Sequence, residues 1–261
     1  MIDFTDRWVL VTGAAHGIGT GFVRRFLREN ARLIVVDIDA AGLHKVFKEV
    51  LGGDESRHRK VIVDLSVEAE RKGLYQALEA GGIELDVLVN NAGIGYRSNL
   101  VDTPWDKLQK IFEVDVIAPT QLIYMFLPGM KKRDRGAIIN LSSTGAFCGA
   151  NQACVYTGGK AYIMNFTEGL DMELFGSKVR VISAHPGATD TNFWDASGWA
   201  NSQYNKRIRM MSGDETANEF VDALVAGRKR HIAGLRNRLM VLIAGFIPRE
   251  MLKRMAVSKY E

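Results

Sequence analysis

The chain has 261 residues, of which 47% are hydrophobic and 25% charged, proportions that are ordinary for a soluble globular protein. They exclude a disordered or fibrous chain, and α/β folds of this size often form one domain, so we expect a single domain over 1–261. The two cysteines, Cys148 and Cys154, are too few for a disulfide framework and are not spaced as a metal pair. A strand-like run begins at Trp8 with no signal region before it, and we expect a cytoplasmic protein.

The net charge of +4 is distributed unevenly along the chain. Residues 201–261 contain 12 Lys/Arg and 6 Asp/Glu, a balance of +6, whereas residues 1–200 contain 22 and 24, a balance of −2. The basic residues flank the apolar run 239–247, which is much shorter than the roughly 20 residues that span a bilayer. This extension, about 228–261, predicts either a helix that closes the core or pocket, or a peripheral membrane contact. A nucleic-acid partner is not expected.

Short apolar runs alternate with longer amphipathic stretches, which is typical of βαβ units in a parallel sheet. We predict strands near 7–12, 32–37, 60–64, 86–90, 136–142 and 178–184, with a further short strand within 228–234. Helices are predicted at about 17–30, 40–51, 67–80, 104–130, 153–176 and 214–226. The fold class is therefore α/β, a doubly wound parallel sheet with helices on both faces. Ligands of such sheets bind at the carboxyl ends of the strands.

The first strand is followed by a glycine-rich turn that opens directly into the first helix. The turn has the spacing G-x-x-x-G-x-G and contains Gly13, Gly17, Ile18 and Gly19. Glycines at such a turn let the backbone approach a pyrophosphate, whose charge is favoured at a helix N-terminus. A structural turn would also use glycines, but the position between strand and helix favours nucleotide binding.

The second strand ends at Asp37, twenty positions after Gly17. A carboxylate there accepts hydrogen bonds from the ribose hydroxyls of adenosine and repels a 2′-phosphate, so NAD is predicted rather than NADP. Asp39 is an alternative carboxylate, whereas His16 and Arg32 are groups that would favour a phosphate.

The third and fourth strands also end in candidate cofactor residues. Asp64 and Leu65 follow the third strand, where Asp64 either reaches the adenine edge or caps the next helix. The fourth strand leads into Asn90-Asn91-Ala92-Gly93, and small and amide residues there satisfy the turn backbone while letting a cofactor lie close. Asn91, Ala92 and Gly93 are therefore candidate cofactor contacts.

Tyr156 and Lys160 lie four residues apart, and Ser143 precedes the tyrosine by thirteen positions. In a helix the two side chains share one face, and a nearby cation lowers the pKa of a tyrosine from about 10. A phenol tuned in this way exchanges a proton with a substrate oxygen. By itself Tyr-x-x-x-Lys also describes a solvated polar pair, so the motifs that precede it carry the interpretation.

Taken together, the Thr12–Gly19 turn, Asp37, Asn90–Gly93, Ser143, Tyr156, Lys160 and His185–Thr191 resemble the classical short-chain dehydrogenase/reductase family, over residues 7 to about 191. The resemblance implies a Rossmann domain and hydride transfer, without a metal, between a nicotinamide and an alcohol/ketone pair. It implies that Tyr156 is the general acid/base, that Ser143 holds the substrate oxygen, and that Lys160 binds the nicotinamide ribose and lowers the tyrosine pKa. It places four further residues at the nicotinamide, namely Pro186, Gly187, Thr189 and Thr191. A homodimer or homotetramer is implied on the same ground.

Asp115 departs from the pattern of the family, which usually has asparagine at this position. The family's asparagine is associated with a helix irregularity whose main-chain carbonyl holds a water in the proton relay behind the lysine. Asp115 is therefore kept as a relay candidate, although a carboxylate near Lys160 would alter the electrostatics of the relay.

Residues 192 to about 214 correspond to a mobile lid in the family. The segment is rich in aromatic and methionine residues: Phe193, Trp194, Trp199, Tyr204, Met210 and Met211. This composition predicts either a lipophilic substrate or side chains that simply pack the lid onto the protein. Tyr96, Phe147 and Cys154 are further candidates for the pocket, and His185 is expected to be a packed residue.

The resulting interpretation is an NAD(H)-dependent oxidoreductase that interconverts a secondary alcohol and a ketone. Two alternatives remain open at this stage. One is an NADPH-dependent reductase of 3-oxoacyl thioesters, and the other is a nucleotide-binding sensor or scaffold without catalysis.

Overall fold

A seven-stranded parallel sheet forms the centre of the molecule, which was described from a computed structural model covering residues 2–191, 193, 197–198, 210–248, 250–252 and 254. Its strand order is β3-β2-β1-β4-β5-β6-β9, and β7 and β8 form a separate parallel pair. The strands in chain order are β1 Trp8–Thr12, β2 Arg32–Asp37, β3 Arg59–Ile62, β4 Leu85–Asn90, β5 Ala137–Leu141, β6 Arg180–His185, β7 Thr189–Asp190, β8 Met211–Ser212 and β9 Arg230–Ile232. The six predicted strands and the further one within 228–234 are confirmed.

Helices cover both faces of this sheet, as predicted. They are α1 Gly17–Arg28, α2 Ala40–Glu49, α3 Glu68–Ala80, α4 Trp105–Phe112, α5 Ala118–Lys132, α6 Cys154–Glu173, α7 Gly213–Val225 and α8 Leu235–Ala244. A π-helical turn, Glu113–Ile117, joins α4 to α5, and 3-10 turns form at Leu100–Asp102 and Thr144–Phe147. The helix predicted at 104–130 is therefore one long helix that contains a π-helical turn.

Successive residues of the central strands point into two separate cores. In β1, Val9 and Val11 belong to the apolar cluster that includes Phe22 of α1 and Phe220 of α7. Leu10 belongs to the cluster on the opposite face, with side chains of α3, α5 and α6. Burial on both faces explains why these strands are largely apolar instead of alternating between apolar and polar residues.

The sheet topology brings the candidate site residues to one edge. The chain runs from β1 outward to β2 and β3, and then returns to place β4 on the other side of β1. All of these pairs are parallel, so the carboxyl ends of β1, β2, β4, β5 and β6 meet at the same edge. Between β1 and β4 the direction in which successive strands are added to the sheet reverses, and sheets of this kind bind ligands at such a switch point.

Most of the predicted lid lies outside the described residues, including Trp194, Trp199 and Tyr204. Met211 lies in β8 and is partly buried against the first core, and α7 begins at Gly213. For Met211 the structure therefore shows packing onto the protein, and the regular structure resumes before the predicted end of the lid at 214.

Within the described part of the chain, the continuous helix Trp105–Lys132 is the one segment long and apolar enough to cross a membrane by length and composition. Leu122, Ile123, Phe126 and Met130 of this helix are buried in the second core. The helix thus packs against the sheet in the way of a core helix.

Candidate active site

A cavity of about 610 Å³ opens at the carboxyl edge of the sheet and contains nearly all of the predicted site residues. Those that line it are Gly13, Gly17, Ile18, Asp37, Asp64, Leu65, Asn91, Ala92, Gly93, Ser143, Tyr156, Lys160, Pro186, Gly187, Thr189 and Thr191. Gly19 and Asp115 are outside the lining and lie behind it. Sequence reasoning missed several lining residues that directly follow or face the motifs, among them Ile94, Gly95, Lys110 and Thr157. Tyr96, Phe147 and Cys154 do not line this cavity.

The glycine turn is shaped to admit a group close to its backbone. Gly13 and Gly17 have φ values of 65° and 53°, in the left-handed region that favours glycine. A Cβ atom at Gly19 would lie 1.9 Å from the Gly13 carbonyl oxygen. The first turn of α1 has neither a capping side chain nor an acidic residue, which leaves its N–H groups available to an anion. These features fit a dinucleotide pyrophosphate.

Asn91 anchors the glycine turn to the end of β4. Its side-chain amide donates hydrogen bonds to the carbonyl oxygens of Thr12 and Gly13, at 2.8 and 3.0 Å. Its backbone N–H and that of Ala92 both donate to the Thr12 hydroxyl at 3.0 Å. Asn91 therefore fixes the glycine turn against the end of β4. Asn90 serves the sheet, since its amide donates to the Asn140 side chain.

Asp37 holds the backbone at the far side of the same turn. One carboxylate oxygen accepts a hydrogen bond from the Ala15 N–H at 2.9 Å, and the other accepts one from the Asp39 N–H at 3.0 Å. Asp39 caps α2 and pairs with His16, whose Nε2 is 2.7 Å from a carboxylate oxygen. A hydrogen bond from the Gly42 N–H, together with His16, lowers the pKa of Asp39. Two carboxylates therefore face this end of the cavity.

Arg32, considered as a phosphate-binding residue, begins β2 at the opposite edge of the sheet. Its guanidinium lies over the Trp8 ring and is 3.7 Å from Asp6. It is not among the described residues that line the cavity.

Asp64 lies in the cavity wall but does not cap a helix, since the N-cap residue of α3 is Val67. Its carboxylate accepts hydrogen bonds from the Ser66 N–H and hydroxyl and is 3.3 Å from the Lys110 ammonium. Burial alone would raise the pKa of Asp64, but these partners lower it overall. Its position is compatible with contact to an adenine edge.

Ser143 and Tyr156 meet at the other end of the cavity. The Ser143 oxygen accepts a hydrogen bond from the Gly145 N–H at 3.0 Å, which leaves its own proton to donate, and its hydroxyl is hydrogen-bonded to the Tyr156 phenol. The Phe193 ring lies beside the phenol, with centroids 5.5 Å apart. Burial raises the pKa of Tyr156 above its ordinary value; Lys160 opposes this shift and Asp115 adds to it. The neighbouring Ser142 is buried, and its hydroxyl donates to the Lys160 carbonyl oxygen, which is a structural role.

Lys160 forms a direct, buried ion pair with Asp115. The Lys160 Nζ is 3.2 Å from one oxygen of Asp115 and 3.3 Å from the Leu141 carbonyl oxygen. The other Asp115 oxygen accepts a hydrogen bond from the Ile94 N–H at 2.8 Å. Asp115 lies in the π-helical turn and its side chain is completely buried. Burial raises the pKa of Asp115, and the positive charge of Lys160 opposes this shift. Burial alone would lower the pKa of Lys160, but the Asp115 carboxylate raises the pKa of this ammonium overall.

The loop after β6 closes the cavity beside this cluster. The Pro186 carbonyl accepts a hydrogen bond from the Thr144 N–H, and the Thr189 hydroxyl donates to the Gly187 carbonyl. A Cβ atom at Gly17 would lie 2.4 Å from the Thr191 methyl, so this loop contacts the glycine turn directly. His185 is fully buried, and burial lowers its pKa to about 4. Its ring bonds Ser183 and the Ser143 carbonyl, which agrees with the expected packing role.

These features define a class of protein, an oxidoreductase that binds a nicotinamide nucleotide, because a pyrophosphate turn and a Ser-Tyr-Lys cluster share one cavity. The family model described as short chain dehydrogenase matches residues 7–202. The chain belongs to the short-chain dehydrogenase/reductase family.

Curated relatives of the chain carry several activities. The chain is 30% identical to serine 3-dehydrogenase of Rhizobium radiobacter, over 86% of this chain and 89% of that protein. It is 29% identical to meso-2,3-butanediol dehydrogenase of Serratia marcescens, over 85% of this chain and 87% of that protein. It is 28% identical to very-long-chain 3-oxoacyl-CoA reductase of Anas platyrhynchos, over 69% of this chain and 58% of that protein.

Solved structures share the fold over nearly the whole chain. A short-chain dehydrogenase/reductase from Burkholderia phymatum in complex with NAD has a TM-score of 0.83 at 22% identity, covering 92% of this chain and 93% of that one. A short-chain dehydrogenase from Sphingobium yanoikuyae in complex with NADPH has a TM-score of 0.81 at 24% identity, covering 95% of each chain. The fold thus accommodates either nucleotide.

Proposed function

We propose that this protein interconverts a secondary alcohol and a ketone with NAD(H). The observation that carries the proposal is the convergence of Ser143, Tyr156 and Lys160 on the cavity that also contains the glycine turn and Asp37. Such a cavity brings a proton-transfer group and a nucleotide site within reach of one substrate.

The nicotinamide, when bound, supplies or accepts the hydride. In the reductive direction Tyr156 donates its proton to the substrate oxygen, and the Ser143 hydroxyl donates a hydrogen bond to the same oxygen as negative charge develops there. The Lys160 ammonium lies 5.7 Å from the centroid of the Tyr156 ring, where its positive charge favours the phenolate form of the tyrosine. Pro186, Gly187, Thr189 and Thr191 would hold the nicotinamide against this cluster.

The preference for NAD rests on the charges at the adenosine end of the cavity. Asp37 and Asp39 would repel a 2′-phosphate, and two basic residues that line the cavity are paired with carboxylates, His16 with Asp39 and Lys110 with Asp64. A ribose diol, by contrast, offers hydroxyl donors to the remaining lone pairs of Asp37.

The proposed substrate is apolar or bulky. Ile94, Ala150 and Phe193 are apolar residues that line the cavity, and the Phe193 ring lies beside the Tyr156 phenol. Apolar walls with a few convergent polar groups are typical of sites for such ligands.

A 3-oxoacyl thioester reductase remains the second candidate, because one relative carries that activity on very long chains. Both candidates need the same proton transfer and differ in substrate and nucleotide. The charge of the adenosine end favours the NAD-linked enzyme.

The test is a screen of secondary alcohols and ketones graded by size and polarity, together with a 3-oxoacyl thioester, each with NAD(H) and NADP(H). We expect turnover with NAD(H) that increases toward apolar, bulky substrates. Activity confined to small polar alcohols would overturn the apolar pocket, and NADPH-linked reduction of the thioester would select the second candidate. Nucleotide binding without any turnover would point to a sensor or scaffold.

A further inference from the structure

The exposed face of α8 is a continuous apolar surface next to the active-site cavity. Leu235, Leu239, Leu242, Ile243 and Phe246 recur at helical spacing and therefore lie on one side of the helix. All five are exposed, Leu235 at 79% and Phe246 at 83%. Helical hydrogen bonding continues just past the end of α8, since the Phe246 N–H donates to the Ile243 carbonyl. We call these five side chains the α8 face.

The opposite side of α8 is attached to the rest of the protein. Asn237, Val241 and Ala244 are only partly exposed, and no residue of the helix is fully buried. A Cβ atom at Gly187 would lie 2.3 Å from the Asn237 side chain, so the inner side rests on the loop after β6, which we call the cofactor loop. The Arg238 guanidinium is 2.7 Å from Glu219 and also donates to the Ile232 carbonyl. The helix is thus held in place with its α8 face outward.

Basic residues border this face. At 100° per residue Arg236 falls on one flank of the α8 face, and Arg238, which is paired with Glu219, falls on the other. Over residues 235–254 the sequence contains five Lys/Arg and one Asp/Glu, a balance of +4. An apolar strip bordered by Arg236 and followed by a basic segment is typical of a helix that lies in the interfacial plane of an anionic bilayer.

We propose that the α8 face docks the protein on an anionic lipid surface. Two copies of the chain joined through this face would bring two sets of like charges together, whereas anionic headgroups would be attracted to them. The apolar side chains would enter the boundary between headgroups and acyl chains, and Arg236 would reach the phosphates. Because α8 rests on the cofactor loop, the cavity would lie close to the lipid.

The test is flotation of the full-length protein with vesicles of phosphatidylcholine, with or without phosphatidylglycerol. We expect flotation with the anionic vesicles that weakens at high salt. The double substitution Leu242→Ser/Phe246→Ser should lower the partition coefficient by roughly tenfold or more. Arg236→Glu should weaken binding to anionic vesicles only.

The matched control is Phe175→Ser, which removes an apolar side chain exposed at 95% after the far end of α6. It should float as the wild type does. Circular dichroism checks the fold of each variant, and if the double variant does not fold, Arg236→Glu and the salt dependence decide. Wild-type protein that floats with neither vesicle, or equal loss in the Phe175→Ser control, would overturn the proposal. So would a dimer in light scattering that the α8 substitutions dissociate, because a second copy would then be the occupant.

Discussion

Lys160 has an unusual neighbour for a residue that is expected to stabilise a phenolate. A lone ammonium would lower the pKa of Tyr156, yet Asp115 lies 3.2 Å from this ammonium and compensates its charge. Burial and the same carboxylate raise the pKa of Tyr156. At neutral pH the phenol therefore keeps its proton, a state that suits protonation of a ketone oxygen. Alcohol oxidation needs the phenolate and should increase toward alkaline pH.

Asp115→Asn tests this charge compensation. Removing the carboxylate leaves the Lys160 charge uncompensated, so the phenolate is stabilised and the pKa of Tyr156 falls. We expect the rising limb of kcat/KM for alcohol oxidation to move to lower pH by about one unit. The measurement is the pH profile of kcat/KM for the wild type and the variant.

Glu113→Gln is the matched control, because Glu113 lies in the same π-helical turn but pairs with Arg71 instead of Lys160. The Glu113→Gln variant should have a lower free energy of unfolding, and its pH profile of kcat/KM should be the same as that of the wild type. An unchanged profile and turnover in Asp115→Asn would show that the carboxylate does not influence the proton transfer.

Asp37 has a structural role in the glycine turn and a proposed role in nucleotide selection, and a substitution can distinguish the two. Its oxygens hold the Ala15 and Asp39 N–H groups, and its charge is proposed to repel a 2′-phosphate. Asp37→Asn should weaken NAD binding and lower the ratio of kcat/KM for NAD over NADP by about tenfold or more.

The control for Asp37 is Asp64→Asn, which alters another carboxylate of the same cavity. It should change the affinity for both nucleotides and leave their ratio as it is. A ratio that is unaffected by Asp37→Asn would remove this residue as the selector.

At the scale of elements, α1 and α7 are joined by close backbone contact. A Cβ atom at Gly21 would lie 2.5 Å from the Gly213 carbonyl, and one at Gly213 would lie 2.4 Å from the Gly17 carbonyl. The start of α7 therefore packs directly against the helix that begins at the pyrophosphate turn.

Gly21→Ala should lower the free energy of unfolding by about 1–3 kcal/mol, because backbone atoms must move to admit the methyl group. Gly73→Ala, on the exposed side of α3 with open space around it, should instead raise it by about 0.5–1 kcal/mol. Denaturant unfolding of both variants gives the comparison. Equal effects of the two substitutions would contradict a backbone contact between α1 and α7.

Local sequence patterns were sufficient for the central strands and for most helices. The β1, β4 and β5 runs are largely apolar because both of their faces are buried, and turn residues mark their ends. The π-helical turn was not visible in the local pattern, since its buried carboxylate is held by Ile94 and Lys160, which are distant in sequence. The family resemblance pointed to an irregularity there, but not to a direct ion pair.

The short pair β7 and β8 was not predicted, because two-residue strands carry no periodicity. The outward orientation of α8 was likewise left open, since the apolar run 239–247 is compatible with a core helix as well as with an exposed one. Among site residues, Lys110 and Thr157 were missed because their roles depend on which side of a helix faces the cavity.

At the scale of the whole molecule, the cavity joins elements from both halves of the sheet. The glycine turn touches Thr191, and Asn91 of β4 holds the end of β1. A nucleotide bound there would contact many elements at once and stabilise the folded state as a whole. At about 100 times its dissociation constant, NAD should add about 2.7 kcal/mol to the free energy of unfolding.

That stabilisation corresponds to an increase of roughly 5 °C in the melting temperature of a chain of this size. NADP at the same concentration should give a smaller increase. Differential scanning fluorimetry with both nucleotides measures the difference, and a larger increase with NADP would contradict the proposed preference.

We propose that Tyr156 transfers the proton while the surrounding cavity binds the nucleotide. The most direct measurement is turnover of Tyr156→Phe on a substrate of the wild type, with NAD binding followed in both proteins by the melting temperature. We expect turnover to fall by about a thousandfold or more while the NAD-induced increase in melting temperature is retained. Turnover within about tenfold of the wild type, with NAD still bound, would contradict the claim.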